Sequence, residues 1–418
     1  MAPDRGLKRQ RLNGEQQQIK AVYAALEGHD FAKLQELAYL PGGYCSPELR
    51  RSVWLFLLGL PPEQAVDASW RQLLAGVEHD ATEARTMHAD VQRSVYSWDV
   101  HSGLRKTARN QKRIQLSEVM HAILRRHMGR LAYFQGFHEI ALVFLEVGTP
   151  SQAFHMVERL ALFYLSDQLC LPFERGLTPL LGVLWCLLEL LDAPLAQALA
   201  EAECSELHFA VPWVLTWFAH SLPRLHQQVM RITDCLLAGH PSTVLYFCAA
   251  LLIQYRDVLL QQPRELPDMV CAVQNLPLAE VDADDWASHT RRLMQRMPPQ
   301  ELLAHLPLER WRALPVTSPV LHWPPPWAAS VDRAKACPAA LVSGTNMSRL
   351  APIYSGVLPQ RQPRARHRSA AALAVRSILR LLRGSSGAAG NVAMLFRVLG
   401  VGGLAVAWAL AGRVLAWR

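Results

Sequence analysis

The sequence predicts an all-α protein with a chemically distinct C-terminal tail, and three observations carry that expectation. Apolar residues recur at helical spacing through most of the chain, with no sustained period-two alternation of the kind that marks strands. Ser-Pro and Thr-Pro pairs stand where helices would begin. Acidic residues stop at Asp332, while thirteen Arg or Lys follow from Arg333 to Arg418.

In chain order, residues 1–18 are polar and lack the apolar core of a signal peptide, and residues 1–14 are expected to be disordered. Ser46-Pro47-Glu48 opens a helix, with a serine N-cap and proline in the first turn, running through Arg50 and Trp54 to Leu58. Met87, Val91, Val95 and Trp98 form one apolar stripe; Leu116, Val119, Met120, Ile123 and Leu124 form another. Longer apolar helices are expected over 152–165, 178–191, 211–221, 227–237 and 242–255, with Thr178-Pro179 repeating the cap-then-proline start. Leu222-Pro223 and Gly239-His240-Pro241 separate them. After Leu306 the helical pattern thins and prolines gather at Pro315, Pro319 and Pro324-Pro325-Pro326. The helical domain is therefore expected over 15–310 and a Pro-rich, then basic, linker over 311–369.

The tail has its own chemistry. Arg361, Arg364, Arg366 and Arg368 cluster ahead of a basic amphipathic helix expected at 370–383, where Arg376, Arg380 and Arg383 share a face. Past the Gly384-Ser385-Ser386-Gly387 break, residues 398–412 carry no charge, and counting through Arg413 to Trp417 reaches the length a membrane span needs, about 20 residues. A C-terminal transmembrane anchor is expected over 392–417. Gly400, Gly402 and Gly403 would weaken a water-exposed helix but are common in membrane helices. Arginines ahead of the segment place the N-terminal body in the cytosol by the positive-inside rule, and an acid-free basic approach suits an anionic leaflet. A last core helix is the alternative, and whether 398–417 spans the bilayer or lies in its interface stays open.

Charge and composition exclude several classes. The formal net charge of +8 belongs to the tail: the first 332 residues carry 30 basic and 35 acidic side chains, a net of −5. A nucleic-acid-binding body would be basic, so nucleic acid is set aside. Eight scattered cysteines without a C-x-x-C pair read as free thiols in a reducing compartment, not as a zinc site. His138-Glu139 begins like a zinc-protease helix, but Leu142 stands where the second histidine must be. Neither G-x-S-x-G nor G-x-x-x-x-G-K-S/T occurs. No metal or cofactor of the chain's own is expected, and any catalysis would assist another protein's site.

Two short segments carry the chemistry: Met87-x-x-Asp90-x-x-Arg93, and Tyr133-x-Gln135-Gly136 at a loop-to-helix turn. With the block Leu49-Arg50-Arg51-Ser52-Val53-Trp54, they resemble the TBC domain, the helical module that activates Rab GTPases. The match is to R-x-x-x-W, I-x-x-D-x-x-R with Met for Ile, and Y-x-Q-G. A weaker match is Pro212-Trp213-Val214-Leu215-Thr216-Trp217-Phe218 followed by Val229 to Asp234, with Thr233 where many relatives have Trp. His127 also replaces a frequent Asn.

The resemblance implies a GTPase-activating protein whose partner, a GTP-bound Rab, carries the GTP and Mg²⁺. Arg93 and Gln135 would be its catalytic fingers. Asp90 would hold the guanidinium, Tyr133 would brace the loop by packing, Gly136 would let the backbone turn, and Arg50 and Trp54 would be structural. Family members that pair this domain with a C-terminal membrane segment further imply the Rab-one subfamily and the endoplasmic reticulum or early Golgi. Residue by residue, the alternatives are an ordinary Asp90–Arg93 surface ion pair and a helix-start role for Gln135. For the whole chain they are an inactive TBC-fold scaffold on a membrane and a membrane-organising protein.

Overall fold

The apolar stripes of the sequence become buried helix faces. Helices α1 (Arg5–Glu27), α2 (Phe31–Ala38) and α3 (Pro47–Leu57) come first; Asp30 and Ser46 cap the latter two by accepting from the backbone N–H groups of Lys33 and Leu49. After α4 (Pro62–Val66) and a 3₁₀ turn at Ser69–Ala75, α5 (Ala81–Arg93) buries Met87 and Val91. Helix α6 (Lys106–Arg126) buries Leu116, Val119, Met120, Ile123 and Leu124, the face that packs on α7 (Phe137–Val147) and α8 (Pro150–Phe163). Thr149 and Gln152 form a reciprocal capping box at the start of α8.

Two short helices, α9 (Ser166–Cys170) and α10 (Phe173–Gly176), lead into α11 (Thr178–Leu191), which is apolar nearly all round because it lies in the core. Next come α12 (Ala193–Glu201), α13 (Val211–Thr216), α14 (His226–Ala238) and α15 (Thr243–Gln254), the last buried through most of its length. The chain continues through α16 (Arg256–Leu260), α17 (Leu266–Gln274), α18 (Ala283–Arg296), α19 (Pro299–His305) and α20 (Leu308–Ala313). Helix α15 packs on both α11 and α18. Trp286 of α18 meets Phe218 and Phe247 edge-on, with ring centroids 4.8 and 5.4 Å away.

In this computed structural model, residues 5–75, 81–94, 106–222, 226–325 and 327 are described, all within a compact unit spanning Met1–Gln360. Among them there is no strand, and no helix is long and apolar enough to cross a membrane. The expected basic helix at 370–383, the anchor at 392–417, and Val95 and Trp98 lie outside the described residues.

Four expectations differ from what is observed. Helix α1 begins at Arg5, inside the stretch expected to be disordered; Gln, Lys, Arg and Leu favour helix there and outweigh Gly6, Asn13 and Gly14. Thr178 does not cap α11. The preceding short helix runs straight into it through Leu177, which stands at the N-cap, and the Thr178 hydroxyl turns back to the Phe173 carbonyl. Helix α13 stops at Thr216, not Ser221, because Trp217 and Phe218 adopt left-handed backbone at φ 50° and 64°, a strain held by the complete burial of Phe218.

The fourth difference concerns the proline-rich run, which is docked at least to Trp327. Ser318 donates to Asp167, Trp323 packs against Tyr164, and Trp327 donates from its indole to the Leu57 carbonyl at 2.7 Å. Tryptophan and serine side chains, not helical periodicity, hold this segment. Cys170, Cys186, Cys204, Cys235 and Cys248 are buried and outside any disulfide among the described residues, as expected, whereas Cys271 is exposed.

Candidate functional site

Helix α5 presents Asp90 inward, one turn before its exposed C-terminal end. The Asp90 carboxylate is almost wholly buried, 1% exposed, so its oxygens must be satisfied from within the protein. One oxygen accepts from Arg93 Nη2 in an i,i+3 ion pair. The other accepts from the Tyr133 hydroxyl at 2.6 Å. The Arg93 side chain remains half exposed, so one guanidinium nitrogen is fixed while the head still faces solvent.

Tyr133 belongs to the loop before α7, which the Ala132 N–H anchors to the Leu169 carbonyl at 2.7 Å. Two residues on, Gln135 is exposed, flanked by Phe134 and Phe137, whose rings meet at 5.6 Å beneath the turn. Gly136 is the N-cap of α7 with φ +111°, a conformation that L side chains rarely adopt. A Cβ there would also lie 2.8 Å from Thr216 Cγ2. Thr216 is itself fixed, donating from its hydroxyl to the Pro212 carbonyl at 2.7 Å. The early stop of α13 thus forms the wall against which the glutamine turn is set.

Behind these groups lies a buried relay. His138, 6% exposed, meets the Tyr133 hydroxyl from Nδ1 at 2.9 Å. Since Tyr133 donates its one proton to Asp90, this assigns the proton of that contact to His138 Nδ1. Burial, then the neighbouring Asp90 carboxylate, holds the Tyr133 phenol well above its ordinary range, so it stays a donor. Burial also pushes His138 below its ordinary value, keeping the ring neutral. His220, in the turn after α13, bonds Glu139 Oε1 at 2.8 Å and is raised by that hydrogen bond.

Arg50 and Trp54, the other residues singled out in the sequence, meet elsewhere. Trp54 Nε1 donates to Asp234 Oδ1 at 2.8 Å, Arg50 Nε donates to both Asp234 oxygens at 3.0 and 3.2 Å, and the Tyr44 N–H adds a bond of 3.3 Å. Asp234 is fully buried, and burial raises its carboxyl above the ordinary value despite Arg50 and Arg231. This cluster pins α3 to α14. Thr233 is buried with its hydroxyl bonded to the Val229 carbonyl, and His127 pairs with Glu158 at 2.8 Å.

The structure therefore brings together Asp90, Arg93, Tyr133 and the Gln135-Gly136 turn, and it separates them from Arg50 and Trp54. Tyr133 does more than pack: it is the hydrogen bond between the two motifs. Sequence reasoning missed His138, which it met only as half of a failed zinc motif, and Thr216. Neither carries a local signal, because each acts across the fold. The arrangement leaves one positioned guanidinium, half exposed, and one exposed amide on a fixed turn. Among the described residues no cluster of His, Cys, Asp or Glu fit to hold a metal ion occurs.

The chain belongs to the Rab-GTPase-TBC domain family, whose model matches residues 47–260, half of its length. It is 28% identical over 240 residues to the GTPase-activating protein gyp10 of Schizosaccharomyces pombe, covering 57% of this chain and 61% of that protein, so the match spans about three fifths of that relative. It is 26% identical over 302 residues to human TBC1 domain family member 20, covering 72% of each chain. The crystal structure of the Ypt/Rab-GAP domain of Gyp1p matches with a TM-score of 0.51 at 16% identity, covering 64% of this chain and 92% of that one, a likeness of fold.

Proposed function

We propose that this chain accelerates GTP hydrolysis by a Rab GTPase, with Arg93 and Gln135 entering the partner's active site. The observation that carries the reading is the braced pair: Arg93 held by a buried Asp90 that Tyr133 ties to the glutamine turn. As the γ-phosphoryl group transfers, negative charge spreads over its oxygens, and Mg²⁺ on the partner neutralises only part of it. A guanidinium supplied from outside adds charge and planar donors, worth about 10³ to 10⁵ in rate. Lysine, a point charge, lacks that fork. Gln135 orients the attacking water, and the fixed Gly136 turn keeps its amide aimed. GTP and Mg²⁺ travel with the partner.

The basic, acid-free tail and its uncharged run at 398–412 support membrane attachment, which confines the search for a membrane-bound Rab. The Rab-one subfamily at the endoplasmic reticulum or early Golgi is the partner and place this reading favours. The test is single-turnover GTP hydrolysis by a panel of Rab GTPases with the full chain in liposomes, alongside Arg93→Ala and Gln135→Ala. Stimulation of one or two Rabs, lost in both variants, is the expected result. A chain that binds a Rab tightly without stimulating any would overturn catalysis in favour of a scaffold.

A further inference from the structure

We propose that Arg113 is a positioning residue for Arg93; the inference rests on the reading of Arg93 as a catalytic finger. Arg113 lies on α6, nineteen residues from Ser94 in sequence, and is only 8% exposed. Its Nε and Nη2 both donate to the Ser94 carbonyl, at 3.1 and 2.8 Å. Ser94 directly follows Arg93. Inside the same turn the Ser94 N–H donates to the Asp90 carbonyl at 2.9 Å and the Ser94 hydroxyl to the Val91 carbonyl at 2.6 Å. The last turn of α5 is thus closed from within by Ser94 and from outside by Arg113.

The physical need is specific. The final carbonyls of a helix have no partner within it, and helix ends open most readily. Asp90 fixes the Arg93 guanidinium relative to α5 and is itself tied to Tyr133, but neither bond reaches the carbonyl of Ser94, which follows Arg93. A buried cation on a C-terminal carbonyl suits both the unsatisfied acceptor and the negative end of the helix. The neighbouring Lys112 donates to Glu146 Oε1 at 2.6 Å and to the Leu145 carbonyl at 3.3 Å, near the end of α7. One turn of α6 therefore contacts the C-terminal ends of both α5 and α7, and Arg113 is the member of that turn that touches the residue beside Arg93.

The test measures the single-turnover rate against concentration of the full chain, using the Rab most stimulated in the panel. Arg113→Met keeps the stem but removes the fork. Maximal rate should fall about tenfold while half-saturation stays within about twofold, since a misplacement of order 1 Å can cost up to ~10². General destabilisation would shrink the folded fraction and so raise half-saturation at an unchanged maximal rate, the opposite split.

Should Arg113→Met fail to fold, Arg113→Lys keeps the charge with a poorer fit and should lower the maximal rate about threefold, with half-saturation again within about twofold. An unchanged maximal rate, or an effect confined to half-saturation, overturns the inference. Wild-type stimulation by Arg93→Ala alone would remove the finger reading itself, and that result is read before any Arg113 variant.

Discussion

Two clusters in this protein use the same three kinds of group, an arginine, an aspartate and an aromatic donor, and they differ in how far the arginine is buried. In one, Asp234 takes Arg50, the Trp54 indole and the Tyr44 N–H, and the arginine side chain is only 10% exposed. In the other, Asp90 takes the Tyr133 hydroxyl and one nitrogen of Arg93, whose side chain is 50% exposed. Both carboxylates are buried. What differs is whether the guanidinium is consumed by the protein or left half open to solvent, as the proposed activity requires. Composition alone would score the two clusters alike; exposure of the cation separates a fastening from a tool.

The sharpest way to break this contrast is Arg93→Ala. Stimulated GTP hydrolysis should fall by about 10³ or more, on the order of 4 kcal/mol in the barrier. The urea midpoint should fall only modestly, because Arg93 is half exposed and the buried Asp90 keeps its bond from Tyr133. A rate loss matched by a large fall in midpoint would make Arg93 a fastening too. Asp234→Ala should do the reverse. It leaves Arg50 buried without its counter-ion and should cost about 3–5 kcal/mol in urea unfolding. Among molecules that remain folded, stimulated rate should change little.

A third buried carboxylate, Asp167, sharpens the comparison because no arginine is among the groups that shift it. Burial, opposed by a hydrogen bond from Ser318, pushes it up to about 7. The folded chain then binds an extra proton between the unfolded value of 3.8 and about 7, so this group's contribution to stability falls as pH rises through that window. The slope should approach, at most, roughly 1.4 kcal/mol per pH unit. Urea midpoints compared at pH 5 and pH 8 should show this fall in wild type and a weaker one in Asp167→Asn. Identical profiles would mean that burial without a cation leaves the carboxylate ionised.

The smallest effect is expected of Tyr133→Phe, which removes only the hydroxyl between Asp90 and His138. It should cost about 1 kcal/mol, or roughly fivefold in stimulated rate. No change in rate would show that Asp90 holds Arg93 unaided.

Local patterning carried most of the fold. The stripe from Leu116 to Leu124 and the Ser46 cap are legible because their causes lie within one helix turn of one another. The Asp90–Arg93 pair was legible for the same reason. The end of α13 was not: Trp217 and Phe218 leave the helix although neither is a helix breaker, and only burial against residues such as Trp286 explains it. Arg113 was hidden among other basic residues of α6, since nothing within the helix says which of them reaches Ser94. The docked run to Trp327 escaped because its prolines speak for a linker while its contacts, Asp167 and Leu57, lie far away in sequence.

Gly136 has a practical corollary. Its backbone angle and the nearby Thr216 methyl fix the direction in which residue 135 points, whatever side chain that residue carries. Position 135 is therefore an interchangeable socket. Glutamate, nearly isosteric with glutamine, could be seated there at nearly constant aim, so Gln135→Glu would compare head-group chemistry, while the shorter asparagine would measure the cost of reach.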